Sequence, residues 1–403
     1  MTNIYVEMFP ASNGDSFLIS CGDDQQINIL IDSGFAATYK NYIRQRLIDL
    51  NEQDKRLKLM VITHIDSDHI FGALKLLSEN ENSETANIIP IDHIWHNSFR
   101  HLQVDYEKFK SNEESKLNRL LEGIVARGYP NEVTEELKQD KPIGARQGSS
   151  LASLIRIGGY SWNSHFDEKA VCIENQPYIN LTDNIKITIL SPSYKELEKL
   201  EKYWEKELYK LGYKEKITSS TFFDDAFEFL VSREKLRILN LQRNISKPNL
   251  TFENILNTEF IEDTSVTNGS SISFILQHNN KKILFLGDSH PSLIEQQLRL
   301  FFGDEVIWFD AIKISHHASS GNTSPSLLEI IDSSNFFVST NGSRHGHPDL
   351  ITLVQIVHRK IDGKRKLFFN YKTKASEFMD NEDRKKEYNY EIHYLGYKEI
   401  VKI

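Results

Sequence analysis

The sequence predicts an α/β fold (α+β) in which two sheet-rich halves flank an irregular and helical middle. Short apolar runs bounded by turn residues predict strands at residues 4–9, 16–20, 27–32 and 57–63 in the first half. In the second half they predict strands at residues 185–190, 271–277, 282–286, 311–314 and 336–339. Helical periodicity is found at residues 39–50, 291–302, 324–331 and 349–360. Each half therefore pairs a sheet with helices, as in a layered domain.

Length and composition indicate a large elaborated domain. The chain has 403 residues, of which 39% are hydrophobic, and a net charge of −9. We expect residues 1–375 to form one domain with insertions near residues 98–180 and 194–262, and residues 376–403 to form a C-terminal extension packed on it. No stretch approaches the roughly 20 apolar residues of a membrane span. The N-terminal residues resemble no leader or signal, so we expect a cytoplasmic protein.

One short segment after a predicted strand carries the strongest chemical signal. His64, Asp66, Asp68 and His69 all stand within residues 63–69, and a predicted helix follows. Four potential ligands this close together can reach two ions. Imidazole nitrogens and carboxylate oxygens suit zinc, manganese or ferrous iron better than calcium or magnesium. The alternative is that Asp66 or Asp68 only caps the helix, but a cap needs one carboxylate and not the whole cluster.

This pattern resembles the signature of the metallo-β-lactamase superfamily, whose usual form is His-x-His-x-Asp-His. Here Asp66 stands where the second histidine is expected, and this variant is similar to the hydrolase domain of ComEC-type DNA-uptake proteins and their soluble relatives, which lack the membrane channel. Further landmarks follow in the expected order. They are a strand ending in Asp-x-Gly at residues 28–34, a strand delivering an aspartate at 282–288, a Lys-x-x-His-His stretch at 313–320 and a Gly-His-Pro at 346–348.

The resemblance implies a four-layer αββα metallo-β-lactamase sandwich with helical insertions, and a dinuclear metal centre. The implied ligands are His64, Asp66 and Asn268 for the first ion, Asp68, His69 and His347 for the second, and Asp288 as the bridge. Asn268 is included, through its amide oxygen, because no histidine stands where the family usually has one. Asp32 is expected behind the ligands, holding the His64 loop. An oxygen-rich pocket favours manganese without excluding zinc, so the expected cofactors are two divalent ions, Zn²⁺ or Mn²⁺.

The expected chemistry is phosphodiester hydrolysis, on nucleic acid or a nucleotide-like substrate. Two ions about 3.5 to 4 Å apart can share a hydroxide and clamp phosphoryl oxygens during in-line attack. In the family pattern the loop carrying His316 and His317 lies at the cleft, so one of them is expected to bind the phosphate or protonate the leaving oxygen. These two residues and Asp68 form the predicted catalytic set.

Two other functions remain open. The same centre could attack a carbonyl carbon in a lactam, lactone or thioester. The chain could instead be a metal-binding interaction subunit that docks protein partners through its insertions. The acidic net charge argues against tight nonspecific binding to long DNA. Basic and aromatic residues interleaved over residues 358–374 could still track single-stranded DNA, or they could form an ordinary strand with its rings in the core. No membrane partner is expected.

Overall fold

The computed structural model describes residues 3–22, 27–102, 123, 124, 126, 150–211, 221–231, 251–344 and 346–403. Parts of both predicted insertions, and His345 beside the Gly-His-Pro stretch, lie outside these residues. The strands, in chain order, are β1 (Ile4–Met8), β2 (Phe17–Cys21), β3 (Ile27–Ile31), β4 (Leu57–Val61), β5 (Ile94–Trp95), β6 (Tyr178–Thr182), β7 (Ile185–Ser191), β8 (Ser273–His278), β9 (Lys281–Phe285), β10 (Ile307–Phe309), β11 (Ala311–Lys313), β12 (Ile331–Ser333), β13 (Asn335–Val338), β14 (Arg365–Phe369), β15 (Tyr390–Tyr394) and β16 (Ile400–Lys402).

The helices alternate with these strands along much of the chain. They are α1 (Ala36–Thr38), α2 (Arg44–Asn51), α3 (Ser67–Asn80), α4 (Phe99–Leu102), α5 (Leu151–Ile157), α6 (Tyr194–Lys210), α7 (Thr221–Val231), α8 (Phe252–Leu256), α9 (Val266–Gly269), α10 (Pro291–Phe302), α11 (Pro325–Ile330), α12 (Leu350–His358), α13 (Lys374–Met379) and α14 (Glu382–Glu387). A π-helical stretch, Tyr39–Ile43, joins α1 to α2, and short 3₁₀ turns lie at Ser164–Phe166 and Ser315–Ala318. Within the described part of the chain, no helix is both long enough and apolar enough to cross a membrane.

Two sheets form the body of the protein. The first has the strand order β16-β1-β2-β3-β4-β5, antiparallel from β16 to β3 and parallel from β3 to β5. The second has the order β15-β14-β13-β11-β9-β8-β7-β6, parallel from β15 to β9 and antiparallel from β9 to β6. β10 and β12 form a small parallel pair. The last two strands each extend a sheet, since β15 pairs with β14 and β16 with β1.

An apolar core lies between the two sheets. Phe17 of β2 packs edge-on against Phe285 of β9 and Phe337 of β13, with ring centroids 6.2 and 6.3 Å apart. A second core joins the outer face of the first sheet to α2, α3 and α5, and a third joins the outer face of the second sheet to α10, α11 and α12. Burial of these faces gives the layers helix, sheet, sheet, helix. The predicted α/β sandwich is therefore confirmed.

A fourth apolar cluster belongs to the inserted helices. The rings of Phe99 in α4, Trp204 in α6 and Phe227 in α7 lie 5.5 to 5.8 Å apart. Ile65, from the segment rich in histidine and aspartate, is buried in the same cluster. The inserted helices therefore pack directly against that segment.

The basic and aromatic stretch near the C-terminus forms β14. Phe368 is buried in the core between the sheets, and Phe369 in the core under the outer helices. Arg365 is buried and pairs with Asp332 at 2.7 Å. Because these rings are buried, they cannot stack on nucleic-acid bases, and the geometry favours the alternative of an ordinary core strand.

Candidate metal centre

Residues 62–66 connect β4 to α3, and residues 67–69 already form the first turn of α3, so the predicted strand, turn and helix are found but the helix begins earlier than the sequence indicates. Asp66 occupies the position just before the helix but makes no capping hydrogen bond with its side chain. Its Oδ2 atom instead lies 3.2 Å from Nε2 of His64. The geometry at Asp66 therefore argues against the simple capping alternative, since the carboxylate is directed at an imidazole.

Asp32, at the end of β3, fixes both histidines of this segment. Its Oδ2 atom accepts a hydrogen bond from Nδ1 of His69 at 2.8 Å and another from the Thr63 hydroxyl at 2.8 Å. Because the Thr63 hydroxyl donates its proton to Asp32, its oxygen accepts from Nδ1 of His64 at 3.1 Å. Both imidazoles are thus held through Nδ1, and their Nε2 atoms point away from these partners.

Two close backbone contacts hold the start of α3 in place. A Cβ atom on Gly14 would lie 2.1 Å from the carbonyl oxygen of Asp68, so only glycine permits this approach. A Cβ atom on Gly72 would lie 1.9 Å from the carbonyl oxygen of Ser33. The loops before β2 and after β3 therefore make close backbone contacts with the helix that carries Asp68 and His69.

Asp288 lies at the meeting point of three imidazoles. The chain leaves β9 and turns at Gly287, which has a positive φ of 49°. The fully buried Asp288 then places Oδ2 3.6 Å from Nε2 of His64, 3.6 Å from Nε2 of His69 and 3.7 Å from Nε2 of His316. Tetrahedral coordination of zinc separates its ligand atoms by about 3.4 Å, so these spacings suit a shared ion.

His317 completes a second group of potential ligands. Its Nδ1 atom donates to the carbonyl oxygen of Ser339 at 2.7 Å, which leaves Nε2 without a proton when the ring is neutral. That Nε2 atom lies 3.7 Å from Oδ2 of Asp68. Three clusters among the described residues could hold an ion: Asp68, His69 and His317; His64, His69 and Asp288; and Asp15, Asp32 and His69. His317 is therefore a candidate ligand, whereas the sequence predicts a role on the substrate side.

Buried polar atoms test whether these residues fit metal ions. Within the described part of the chain, Nε2 of His64, His69 and His317, both carboxylate oxygens of Asp288 and Oδ1 of Asn268 are buried and make no hydrogen bond. Unsatisfied buried groups are costly, about 1–3 kcal/mol each or more when charged. Divalent ions would satisfy all of them, because each is a ligand atom suited to zinc or manganese. The residues fit the implied cofactors.

The other predicted residues are distributed around this cluster. Nε2 of His316 approaches Asp288, and its Nδ1 donates to Oδ1 of Asn322 at 2.8 Å. His347 is half-buried, packs edge-on against the His316 ring at 5.1 Å and faces Asp349 at 3.3 Å. It belongs to none of the three clusters found among the described residues. The structure thus brings the motif residues, Asp288, Asn268 and the histidine pair together and leaves His347 at the edge.

Sequence reasoning assigned no role to two charged residues in the centre, Asp15 and Lys313, although Lys313 belongs to one of the landmarks of the resemblance. Both side chains are buried and they form an ion pair. Lys313 also donates to the carbonyl oxygen of Gly287 at 2.9 Å and lies 3.9 Å from Oδ1 of Asp288, while Asp15 lies 3.4 Å from Nδ1 of His317. A lysine inside an apolar strand was a signal, because a buried lysine is rare unless it is paired. Its partner could not be read from the sequence.

Burial and neighbouring charges act in opposite directions on the titratable groups. Burial lowers the pKa of His317, but Asp15 and Asp288 raise it, to about 9. Burial likewise lowers the pKa of His69, while Asp32 and Asp288 raise it well above its ordinary value. Burial raises the pKa of Asp288, yet the imidazole charges hold it well below its usual range. Without ions, protons on the imidazoles therefore compensate the buried carboxylates.

We expect zinc binding to release protons at about pH 7.5. His317, with a pKa of about 9, carries a proton there in the metal-free protein, whereas zinc binds only the neutral imidazole. Zinc affinity should therefore rise as the pH rises toward 9. An indicator dye in weak buffer, followed during a zinc titration of the chelator-treated protein, measures the release. Zinc binding without proton release contradicts this expectation.

The same shift gives the sign of a stability effect. The folded pKa of His317 lies above its ordinary value of 6.5, so its contribution to the stability of the metal-free protein is fully present below about pH 6.5. That contribution is lost as the pH rises through about 9. A His317→Gln variant should lose this part of the pH dependence, and a His358→Gln variant, changed at an exposed histidine on α12, should keep it.

Comparison with known proteins agrees with this geometry over the first third of the chain. The family model of the Metallo-beta-lactamase superfamily matches residues 10–142, which include Asp32 and the segment from His64 to His69. Most proteins of that superfamily are metal-dependent hydrolases that use divalent ions. No curated protein matches the chain. The chain is thus similar to metal-dependent hydrolases in the part that carries the first candidate ligands, and its His and Asp clusters could hold metal ions.

Proposed function

We propose that the protein is a dinuclear metal-dependent phosphodiesterase that acts on nucleic acid or a nucleotide-like phosphodiester. The observation that carries the proposal is the convergence of imidazole Nε2 atoms from two distant segments on Asp288 and Asp68. An outer partner holds each of these imidazoles through Nδ1, as is usual for metal-binding histidines. A pair of divalent ions supplies Lewis acidity, which polarises a phosphoryl oxygen and lowers the pKa of water.

The chain's own residues divide into ligands and substrate-side groups. We assign His64, Asp66, Asn268 and Asp288 to one ion and Asp68, His69 and His317 to the other, with Asp288 reaching toward both. This assignment changes the role of His317 from substrate contact to ligand, because its Nε2 atom lies 3.7 Å from Oδ2 of Asp68. The proposed ions are zinc or manganese, because the ligand set mixes nitrogen and oxygen donors.

His316 is the best-placed residue to hold or deliver a proton at the substrate. Its side chain retains some solvent exposure, 11%, whereas the side chains of His64 and His69 retain none. His347 packs edge-on against the His316 ring, and its side chain also keeps some solvent exposure, 12%. Ser319 and Ser320 follow the histidine pair in the chain, and their hydroxyls are small polar groups suited to phosphate oxygens. These polar groups support a phosphate rather than an apolar lactam ring.

The substrate class is tested by comparing two reporters. We expect the manganese-loaded or zinc-loaded protein to hydrolyse bis(nitrophenyl) phosphate and short oligonucleotides, and to leave a chromogenic cephalosporin intact. Chelation should abolish the activity, and added manganese should restore it better than magnesium. The rate of nitrophenol release measures the reaction, and the Asp288→Ala variant corrects for contaminating enzymes. Cephalosporin or lactone hydrolysis without any phosphodiesterase activity would favour the carbonyl alternative.

A further inference from the structure

Asp263 lies just outside the candidate metal centre, between the second insertion and α9. Its backbone N–H donates to the carbonyl oxygen of Gly321 at 2.9 Å, which ties it to the loop after the histidine pair. Its Oδ1 atom accepts the backbone N–H of Ser265 at 2.9 Å. These two backbone contacts therefore fix the orientation of the Asp263 carboxylate without any side chain of the metal centre.

Two amide side chains donate to the other oxygen of this carboxylate. Nδ2 of Asn268 lies 2.7 Å from Oδ2 of Asp263, and Nδ2 of Asn322 lies 3.0 Å from the same atom. An ionised carboxylate accepts hydrogen bonds and cannot donate them. Each amide must therefore turn its NH₂ group toward Asp263, and its carbonyl oxygen must point to the opposite side.

Both carbonyl oxygens are therefore directed away from Asp263. Oδ1 of Asn322 accepts the proton on Nδ1 of His316 at 2.8 Å, which leaves Nε2 of that ring directed at Asp288. Nδ2 of Asn268 also approaches Nδ1 of His316, at 3.4 Å, but both atoms are donors and the shorter contact sets the tautomer. Oδ1 of Asn268 is buried and accepts no hydrogen bond from the described residues.

We propose that Asp263 is a positioning residue that sets the polarity of the Asn268 amide and so determines metal affinity on the Asn268 side of the centre. The Asn322 amide is also fixed independently, because its Nδ2 atom donates to the carbonyl oxygen of Asp288 at 3.0 Å. The proposal rests on the proposed function, because it requires that the centre holds ions. If the carboxylate is lost, the Asn268 amide is free to rotate, and a rotated amide presents NH₂ to a cation. Outer partners of this kind are typically worth 10- to 100-fold in metal affinity.

The test is a double-mutant cycle between positions 263 and 268, read out by zinc affinity. Asp263→Asn should weaken the binding of one zinc ion by about 10- to 100-fold in the native background. Asn268→Asp alone places two carboxylates face to face and should not bind zinc more tightly. In that second background, Asp263→Asn should strengthen zinc binding, because its NH₂ group can now donate to the carboxylate introduced at position 268. Opposite effects of Asp263→Asn on zinc affinity in the two backgrounds are expected only if a hydrogen-bond donor at one position must face an acceptor at the other.

Isothermal titration with zinc, and the absorption spectrum of the cobalt-loaded protein, measure these changes without any substrate. Asp304→Asn, at an exposed carboxylate, is the matched control and should leave both affinities unchanged. A wild-type protein that binds two ions while Asp263→Asn binds them equally well overturns the role of Asp263 alone. The positioning role of Asp263 is also overturned if Asp263→Asn weakens zinc binding in both backgrounds, because that result indicates a general structural role for Asp263. A wild-type protein that binds no ion overturns the proposed function itself.

Discussion

Replacing Asp288 by alanine is expected to abolish hydrolysis and to remove at least one metal ion. Its carboxylate lies within 3.7 Å of three imidazole Nε2 atoms, and two of them, those of His64 and His69, are assigned here to different ions. Loss of one group that stabilises transition-state charge typically costs about 10²- to 10³-fold in rate. Loss of a shared ligand should cost at least about 10³-fold, because it also disturbs the position of the ions.

Metal analysis of the purified variant and its kcat on bis(nitrophenyl) phosphate test this expectation together. His69→Ala should behave similarly, since His69 belongs to all three clusters that could hold an ion. Asp304→Ala, which removes an exposed carboxylate on the protein surface, should keep two ions and the wild-type rate. Thermal melts establish that the variants are folded. An Asp288→Ala variant with two bound ions and normal kcat would falsify the assignment.

The motif between His64 and His69 could be predicted because its potential metal ligands lie close together in the sequence. A strand, a turn and a helix follow one another there, so spacing alone brings four side chains to one point. The helix at Pro291–Phe302 was predicted to the residue for a similar local reason, as proline begins it and glycine follows it.

Residues that act through tertiary contacts could not be predicted in the same way. Asp15 and Lys313 lie far apart in the chain and meet only when the two sheets pack. Asp263 reads as an ordinary turn residue until both amides are seen to donate to it. The strands β15 and β16 were also missed, because each is a short, partly exposed edge strand whose pairing depends on the rest of the sheet.

The imidazole rings of the adjacent residues His316 and His317 point in different directions. His316 and His317 both lie in a short turn where the backbone has positive φ, at 45° and 56°. Successive residues in such a turn project in different directions, so one imidazole reaches Asp288 and the other reaches Asp68. The sequence identified the pair, but it could not assign a separate direction to each ring.

This divergence predicts different outcomes for the two alanine variants. His317→Ala should lose one ion, and its rate should fall in proportion to the metal lost, because His317 lies among the ligands of one cluster. His316→Ala should retain more of its metal than of its activity. If His316 acts as the proton donor, the loss in kcat should be about 10²- to 10⁴-fold. Zinc content and kcat measured on the same samples separate the two effects.

The pH profile of His316→Ala provides the sharper part of this test. A proton donor contributes a descending limb to the profile at high pH, and its removal should flatten that limb while the metal content stays constant. His358→Ala, at an exposed histidine outside the centre, should leave both the profile and the metal content unchanged. If His316→Ala loses metal as completely as His317→Ala does, His316 is a ligand. The proton must then come from another group at the rim, and His347, which packs against the His316 ring, is the next residue to replace.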